Sequence, residues 1–286
     1  MKRVILAMTA LSALFAAPLA GAANTPQEDL QELREFYMKR FPGVPLQDYA
    51  NGVYAVNEGL REEWEMAREF PPYDFGLDVG KELFEEKFAN GKGYADCFDN
   101  GGVGIRQNYP YFDTARSEVV TLPMAINECR SENGEEPLGW KKGKLAALVA
   151  YMAYTSRGNP IDIEVPNEEA LQWYKEGKKF FYAKRGQLNL ACANCHKDYA
   201  GNRIRANVLS PAMGHVTHFP VYRKKWEAKG EGPLAGFGTL HRRYGGCNRR
   251  VRAAPFPAQS REYRALEYFH TYISNGIEVN APGMRM

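Results

Sequence analysis

The chain has 286 residues, of which 44% are hydrophobic and 25% charged. That is enough for two globular domains of about 100–130 residues, and the balance excludes a disordered or fibrous chain. The formal net charge of +3 conceals an asymmetry: residues 24–196 carry 20 basic and 28 acidic side chains (−8), whereas residues 197–286 carry 15 and 6 (+9). Such a dipole points to an anionic ligand or an acidic partner for the second half, and the absence of interleaved basic and aromatic residues speaks against the known nucleic-acid modules.

Lys2 and Arg3 lead into the apolar run Val4–Met8 and Leu11–Ala17, and small residues close it at Ala20-Gly21-Ala22-Ala23. Residues 1–23 therefore read as a secretory signal, cleaved near Ala22 or Ala23, and no other stretch approaches a membrane span. Export to the bacterial periplasm follows, a compartment in which disulfides persist. Residues 24–73 form a leader with an acidic helix over Gln27–Arg40, broken by Pro42 and Pro45, and a second over Gly59–Glu69 that ends at Pro71-Pro72.

From residue 74 onward the chain is written twice. Gly80-Lys81-Glu82-Leu83-Phe84 opens one helical segment that runs into Cys97, and Gly177-Lys178-Lys179-Phe180-Phe181 opens another that runs into Cys192. Ala147–Gly158 matches Ala265–Gly276 without a gap, with apolar and aromatic positions recurring at three and four, the spacing of a buried helical stripe. The fold class expected is mainly α, as two tandem cytochrome c-like domains at 74–165 and 166–286.

Cys192-Ala193-Asn194-Cys195-His196 is the chemical centre. Cysteines three apart on a helical turn share a face, so both sulfurs reach the two vinyl groups on one porphyrin edge, and the histidine that follows is carried under the iron. No second C-x-x-C or H-x3-5-H completes a zinc ligand set, and a redox dithiol has no need of the histidine. One covalent haem c is expected, in the second domain. In the first, Asn100 and Gly101 stand where the second cysteine and the histidine belong, so only the second copy holds haem. Cys97 and Cys129 of the first domain are expected to pair, closing a loop that stabilises the fold by about 3–4 kcal/mol.

Cys247 is left over, within Arg242-Arg243-Tyr244-Gly245-Gly246-Cys247-Asn248-Arg249-Arg250, about fifty residues after His196 and before the closing helix. A loop in that place presents the distal ligand of a small cytochrome. A thiolate favoured by guanidinium groups would lower the iron's potential, and the same groups attract a small oxyanion. Met213, His215, His218, His241 and Met284 are the other candidates for the sixth ligand; His241, from the same loop, is the principal rival.

At these residues the chain strongly resembles the SoxA family, the larger subunits of the SoxAX cytochromes of bacterial thiosulfate oxidation. The motifs that carry the resemblance are Cys97–Gly102 with Cys129-Arg130, Cys192–His196, and Gly246-Cys247-Asn248 followed by Val251-Arg252-Ala253 and Leu266–Gly276. The resemblance implies the single-haem form, a SoxX cytochrome partner, and a reaction that joins thiosulfate to a cysteine on the mobile tail of SoxY, within the SoxYZ carrier, with two electrons passing to haem. It implies Cys247 as haem ligand and active-site residue, carrying a persulfide in relatives, and Arg243, four positions before it, as the contact for the substrate anion. The residues leave two roles open for Cys247, covalent sulfur carrier or tuning ligand, since a tightly bound thiolate is a poor nucleophile until it dissociates. A plain electron carrier and a dehydrogenase coupling two thiosulfates to tetrathionate are the competing functions. The arginine-flanked cysteine separates the carrier from the enzyme, and the single haem motif speaks against the dehydrogenase.

Overall fold

The structure is a computed structural model that describes residues 24–232 and 234–285; the signal segment 1–23 lies outside the described residues. The fold is mainly helical. Among the described residues no helix is long and apolar enough to cross a membrane.

Helix α1 (Pro26–Arg40) starts at a capping box in which Thr25 accepts from the Glu28 amide and Glu28 reaches back to the Thr25 amide. Its buried stripe, Asp29, Leu30, Leu33 and Tyr37, faces the second half of the chain rather than the first. Asp29 accepts from Lys178 at 2.6 Å and from the Tyr174 hydroxyl at 3.0 Å. Tyr37 donates to the His196 carbonyl and accepts from the Ala212 amide. The leader is thus a clasp on the C-x-x-C-H segment. Helix α2 (Glu58–Arg68) is capped by Asn57, and its one buried residue, Trp64, stacks on Tyr54 with centroids 4.8 Å apart.

Two helix pairs follow. Helices α3 (Asp74–Glu85), α4 (Leu122–Glu132) and α5 (Lys144–Tyr154) enclose one apolar cluster, with Phe84, Tyr94, Ile126 and Met152 inside. Between α3 and α4 lies the hairpin β1 (Tyr111–Asp113) and β2 (Glu118–Val120), in register Phe112↔Val119. Helix α6 (Glu168–Tyr182) crosses the last helix, α9 (Arg261–Tyr272), and Tyr174 and Phe181 pack against Phe269. The hairpin bridges the pairs: Glu118 and the Val119 carbonyl accept from Arg264 of α9, and the Ser117 carbonyl accepts from Trp173 of α6.

Gly80 and Gly177 do not open these helices. They lie well inside α3 and α6, at the points where α5 and α9 cross. A Cβ on Gly80 would overlap the Ala147 carbonyl, and one on Gly177 the Ala265 carbonyl. The helices start at Asp74 and Glu168, since a small residue was needed for close backbone approach, not as a terminus.

Between the haem motif and α8 the chain forms short strands. β3 (Arg203–Ile204) pairs with β4 (Asn207–Val208). β5 (Val221–Arg223) runs directly into the single turn α7 (Lys224–Glu227) and pairs antiparallel with β6 (Phe237–Gly238). β7 (Gly283–Arg285) returns to lie parallel to β5, with Arg223 opposite Arg285. Helix α8 (Leu240–Arg250) sits between β6 and α9.

Cys97 and Cys129 are joined as a disulfide, 32 residues apart. Replacing both by alanine is expected to lower stability by roughly 2–4 kcal/mol, read as a lower urea midpoint. Covalent haem content is expected to stay unchanged, because the bond lies in the first helix cluster.

Candidate haem and thiolate site

Cys192 opens a short helical stretch that widens over Asn194–Asp198, where Cys195 and His196 sit, and all three line a single cleft. The Asn194 side chain anchors the stretch, accepting from the Ala191 amide at 2.9 Å. Buried His196 places Nδ1 2.9 Å from the Ser210 carbonyl. A carbonyl only accepts, so Nδ1 donates, leaving Nε2 as the atom that would bind a metal, with the backbone as orienting partner. Burial holds the Cys192 thiol up at about 12 and also raises Cys195. Among the described residues, no three His, Cys, Asp or Glu side chains are arranged to hold an ion. The donor set fits a c-type haem: two neutral thiols on one face, one imidazole held through Nδ1, and apolar walls that include Phe180, Phe181 and Leu266.

Across the cleft stands α8, a helix where a loop was expected. Thr239 caps it by accepting from the Arg242 amide. Leu240, Tyr244 and Asn248 form its buried face, and Asn248 donates to the Tyr263 hydroxyl. These anchors outweigh the low helix propensity of Gly245 and Gly246. The helix sets Arg243 and Cys247 four residues apart, hence on one face, with Arg250 one turn further. Burial pushes the Cys247 thiol up, but the Arg243 guanidinium, a hydrogen-bond contact with the His196 ring, and Arg250 together bring it down to about 6. Near neutral pH this sulfur is a thiolate facing His196.

Arg243 and Arg250 belong both to this cleft and to an adjoining groove of about 520 Å³. Lys142, Arg223, Lys225, Lys229, Arg242 and Arg249 also line the groove, against one acid, Glu231. The excess positive charge of the second half is therefore concentrated at the mouth of the site. Gly246 lies in its wall, and a Cβ there would meet open space.

The rival ligands are placed elsewhere or otherwise. His241 does not line the cleft; its Nδ1 accepts from the Gln259 amide, and Nε2 lies 3.0 Å from Glu267. Met213 is packed in the core, and Met284 is buried on β7. His215 and His218 do line the cleft, with the His215 ring 4.9 Å from that of His196. Burial holds His215 well below the ordinary histidine value and His218 at about 3, so both are neutral. Sequence reasoning missed Arg223 and Arg285 of the cleft wall. They are far from Cys247 along the chain, and only the β5–β7 pairing brings them together.

The family model described as the SoxA/TsdA cytochrome c domain matches residues 79–161, the first helix pair and not the C-x-x-C-H half. The L-cysteine S-thiosulfotransferase subunit SoxA of Chlorobaculum tepidum is 50% identical over 282 residues, 98% of this chain and 96% of that protein. The same subunit of Allochromatium vinosum is 48% identical over 92% of this chain and 91% of its own. Among solved structures, the crystal structure of SoxXA from P. pantotrophus superposes with a TM-score of 0.71 at 27% identity, covering 82% of this chain and 86% of that one. Similarity at this level along nearly the whole length places the chain in the SoxA family.

Proposed function

We propose that this chain is the haem c subunit of a periplasmic complex that conjugates thiosulfate to a cysteine of the SoxY carrier, acting with a SoxX cytochrome subunit. On this reading the described chain consists of a leader (24–73), a haem-less cytochrome c-like domain (74–165) and a haem-binding catalytic domain (166–286). Cys192 and Cys195 would hold one haem c covalently, and His196 and Cys247 would supply donors to its iron. The names of its relatives and the match to a SoxXA structure support the reading. The observation that carries it is the Cys247 thiol, brought down to about 6 by Arg243 one helical turn away and facing His196 in the cleft that holds both thioether cysteines.

The chemistry of the residues follows. Thiosulfate, a dianion, is drawn into the basic groove and held at its oxygens by the Arg243 fork, with Arg250 beside it. Its terminal sulfur then points toward Cys247. In the net reaction one S–S bond forms between that sulfur and a cysteine thiol, one proton leaves the thiol, and two electrons are given up. Haem c, when bound, would take these electrons one at a time and pass them on to the SoxX cytochrome subunit. A plain electron carrier has no use for a stabilised thiolate in a cleft that shares Arg243 and Arg250 with a cationic groove.

Arg243→Gln tests the substrate role. The thiosulfate kcat/KM is expected to fall about 10- to 100-fold through both KM and kcat, because the lost fork holds the anion and also favours the Cys247 thiolate. An unchanged KM would remove Arg243 from the binding site.

A further inference from the structure

His241, which stands outside the cleft, belongs to a second buried polar cluster that the mechanism above does not use. On α8 it is 2% exposed. Its Nδ1 accepts from the Gln259 amide at 3.0 Å, so the ring proton is on Nε2. Nε2 lies 3.0 Å from a carboxylate oxygen of Glu267 on α9, yet off line for a direct hydrogen bond. Glu267 is buried as well, and a buried carboxylate is costly unless a cation and hydrogen bonds compensate it.

The compensating cation comes from the first half of the chain. Arg106 is 4% exposed and is held by its own surroundings: its amide donates to the Ser156 hydroxyl at 2.9 Å, and its guanidinium to the Tyr109 carbonyl at 2.7 Å. Arg106, Glu267 and His241 line one cavity of about 20 Å³, beside Thr239 of the α8 cap. That is room for a single water, so the three polar groups lie within one bridging contact of each other. Arg106 also donates to the Val216 carbonyl at 3.5 Å, in the segment that brings His215 and His218 to the cleft. A second tie crosses between the two halves at the same place. The Thr121 hydroxyl, at the start of α4, donates to the Gln259 side chain at 2.9 Å, and the Gln259 amide is the one that holds His241.

We propose that Arg106, Glu267 and His241 form a buried positioning triad through which the haem-less domain fixes α8, and with it Cys247, against the haem cleft. The proposal rests on the reading of Cys247 given above. It assigns the first domain a part in the reaction although that domain holds no haem. None of the three side chains touches the substrate; they act through the helix that carries Arg243 and Cys247, six residues beyond His241.

The test uses the holoprotein with Arg106→Gln, Glu267→Gln, the paired variant with both, His241→Phe and His241→Gln, and Gly80→Ala as a stability control. Haem is counted by intact mass, the ferric protein is followed by electron paramagnetic resonance, and thiosulfate conjugation to the carrier is measured. The charge variants and His241→Phe are expected to keep covalent haem and to split the low-spin thiolate signal into more than one species. Their kcat is expected to fall about 10- to 100-fold, the effect of a reacting group displaced by about an ångström. His241→Gln, whose amide still donates toward Glu267, is expected to recover most of the wild-type signal. Gly80→Ala is expected to lose stability with the signal unsplit. Should a lone buried charge keep a single variant from folding, the paired variant, which buries none, carries the same expectation. An unaltered signal and kcat in the paired variant and in His241→Phe would overturn the triad. Equal splitting in Gly80→Ala would overturn it too, by reducing the effect to general stability. A wild-type protein with no thiolate signal would overturn the ligand reading on which the triad rests, an outcome distinct from a wild-type signal that the variants leave unmoved.

Discussion

Cys247→Ser is expected to retain one covalent haem per chain while thiosulfate conjugation to the carrier falls by about a thousandfold or more, roughly 4 kcal/mol of transition-state stabilisation. Haem retention follows from the division of labour between elements. The thioether cysteines and His196 lie on the stretch clasped by Tyr37, Asn194 and the Ser210 carbonyl, none of which touches α8 through residue 247. The helix itself survives, because Thr239 caps it and Leu240, Tyr244 and Asn248 anchor it. What disappears is a sulfur favoured as thiolate by Arg243 and Arg250. Serine offers a hydroxyl of similar size that stays protonated and cannot carry a sulfane sulfur. Mass spectrometry of the carrier, with and without the thiosulfonate adduct, reads the result. Full conjugation by the variant would remove the catalytic role from this residue.

Gly177→Ala is expected to destabilise the protein by about 2 kcal/mol and to loosen the haem half specifically. Two effects oppose each other. Alanine in a helix interior gains about 1 kcal/mol over glycine. The new Cβ, however, would overlap the Ala265 carbonyl oxygen and come within 2.7 Å of the Ala265 carbonyl carbon and Phe269 Cβ. The obstacle is backbone, so no rotamer change relieves it, and α6 and α9 must separate. Overpacking of this kind costs about 1–3 kcal/mol or more, and here it wins. Separation would also disturb Phe181, which packs on Phe269 and His270 and lines the cleft. Urea unfolding followed both by far-ultraviolet circular dichroism and by the haem absorbance measures it. Gly80→Ala, against Ala147, is expected to lower stability while leaving the haem environment unaltered.

How much of this was legible beforehand depends on how far apart the cooperating residues lie in the chain. The C-x-x-C-H centre reads directly, because covalent attachment and axial ligation require neighbours on one turn. Helices α5 and α9 read from their apolar positions at three and four, since burial against a partner helix enforces that spacing. Gly80 and Gly177 misled as helix starts: a glycine punctuates a chain or admits a neighbouring backbone, and only the neighbour tells which. Helix α8 was hidden for a related reason. Its two glycines and many arginines argue for a loop, while Tyr263, which holds it through Asn248, lies on the next helix. The pairing of Arg223 with Arg285 depends on a parallel strand contact across some sixty residues of chain, for which no local pattern exists. The leader shows the same limit. Its first helix was readable, but nothing in Gln27–Arg40 discloses that Tyr37 grips the haem segment rather than the adjacent helix pair.

The most direct measurement is an electron paramagnetic resonance spectrum of the ferric holoprotein, recorded beside that of Cys247→Ser. If the α8 sulfur faces the iron opposite His196, the wild type shows a low-spin, thiolate-ligated signal and the variant loses it. An identical ligand signature in both proteins would contradict the assignment of Cys247 to the iron.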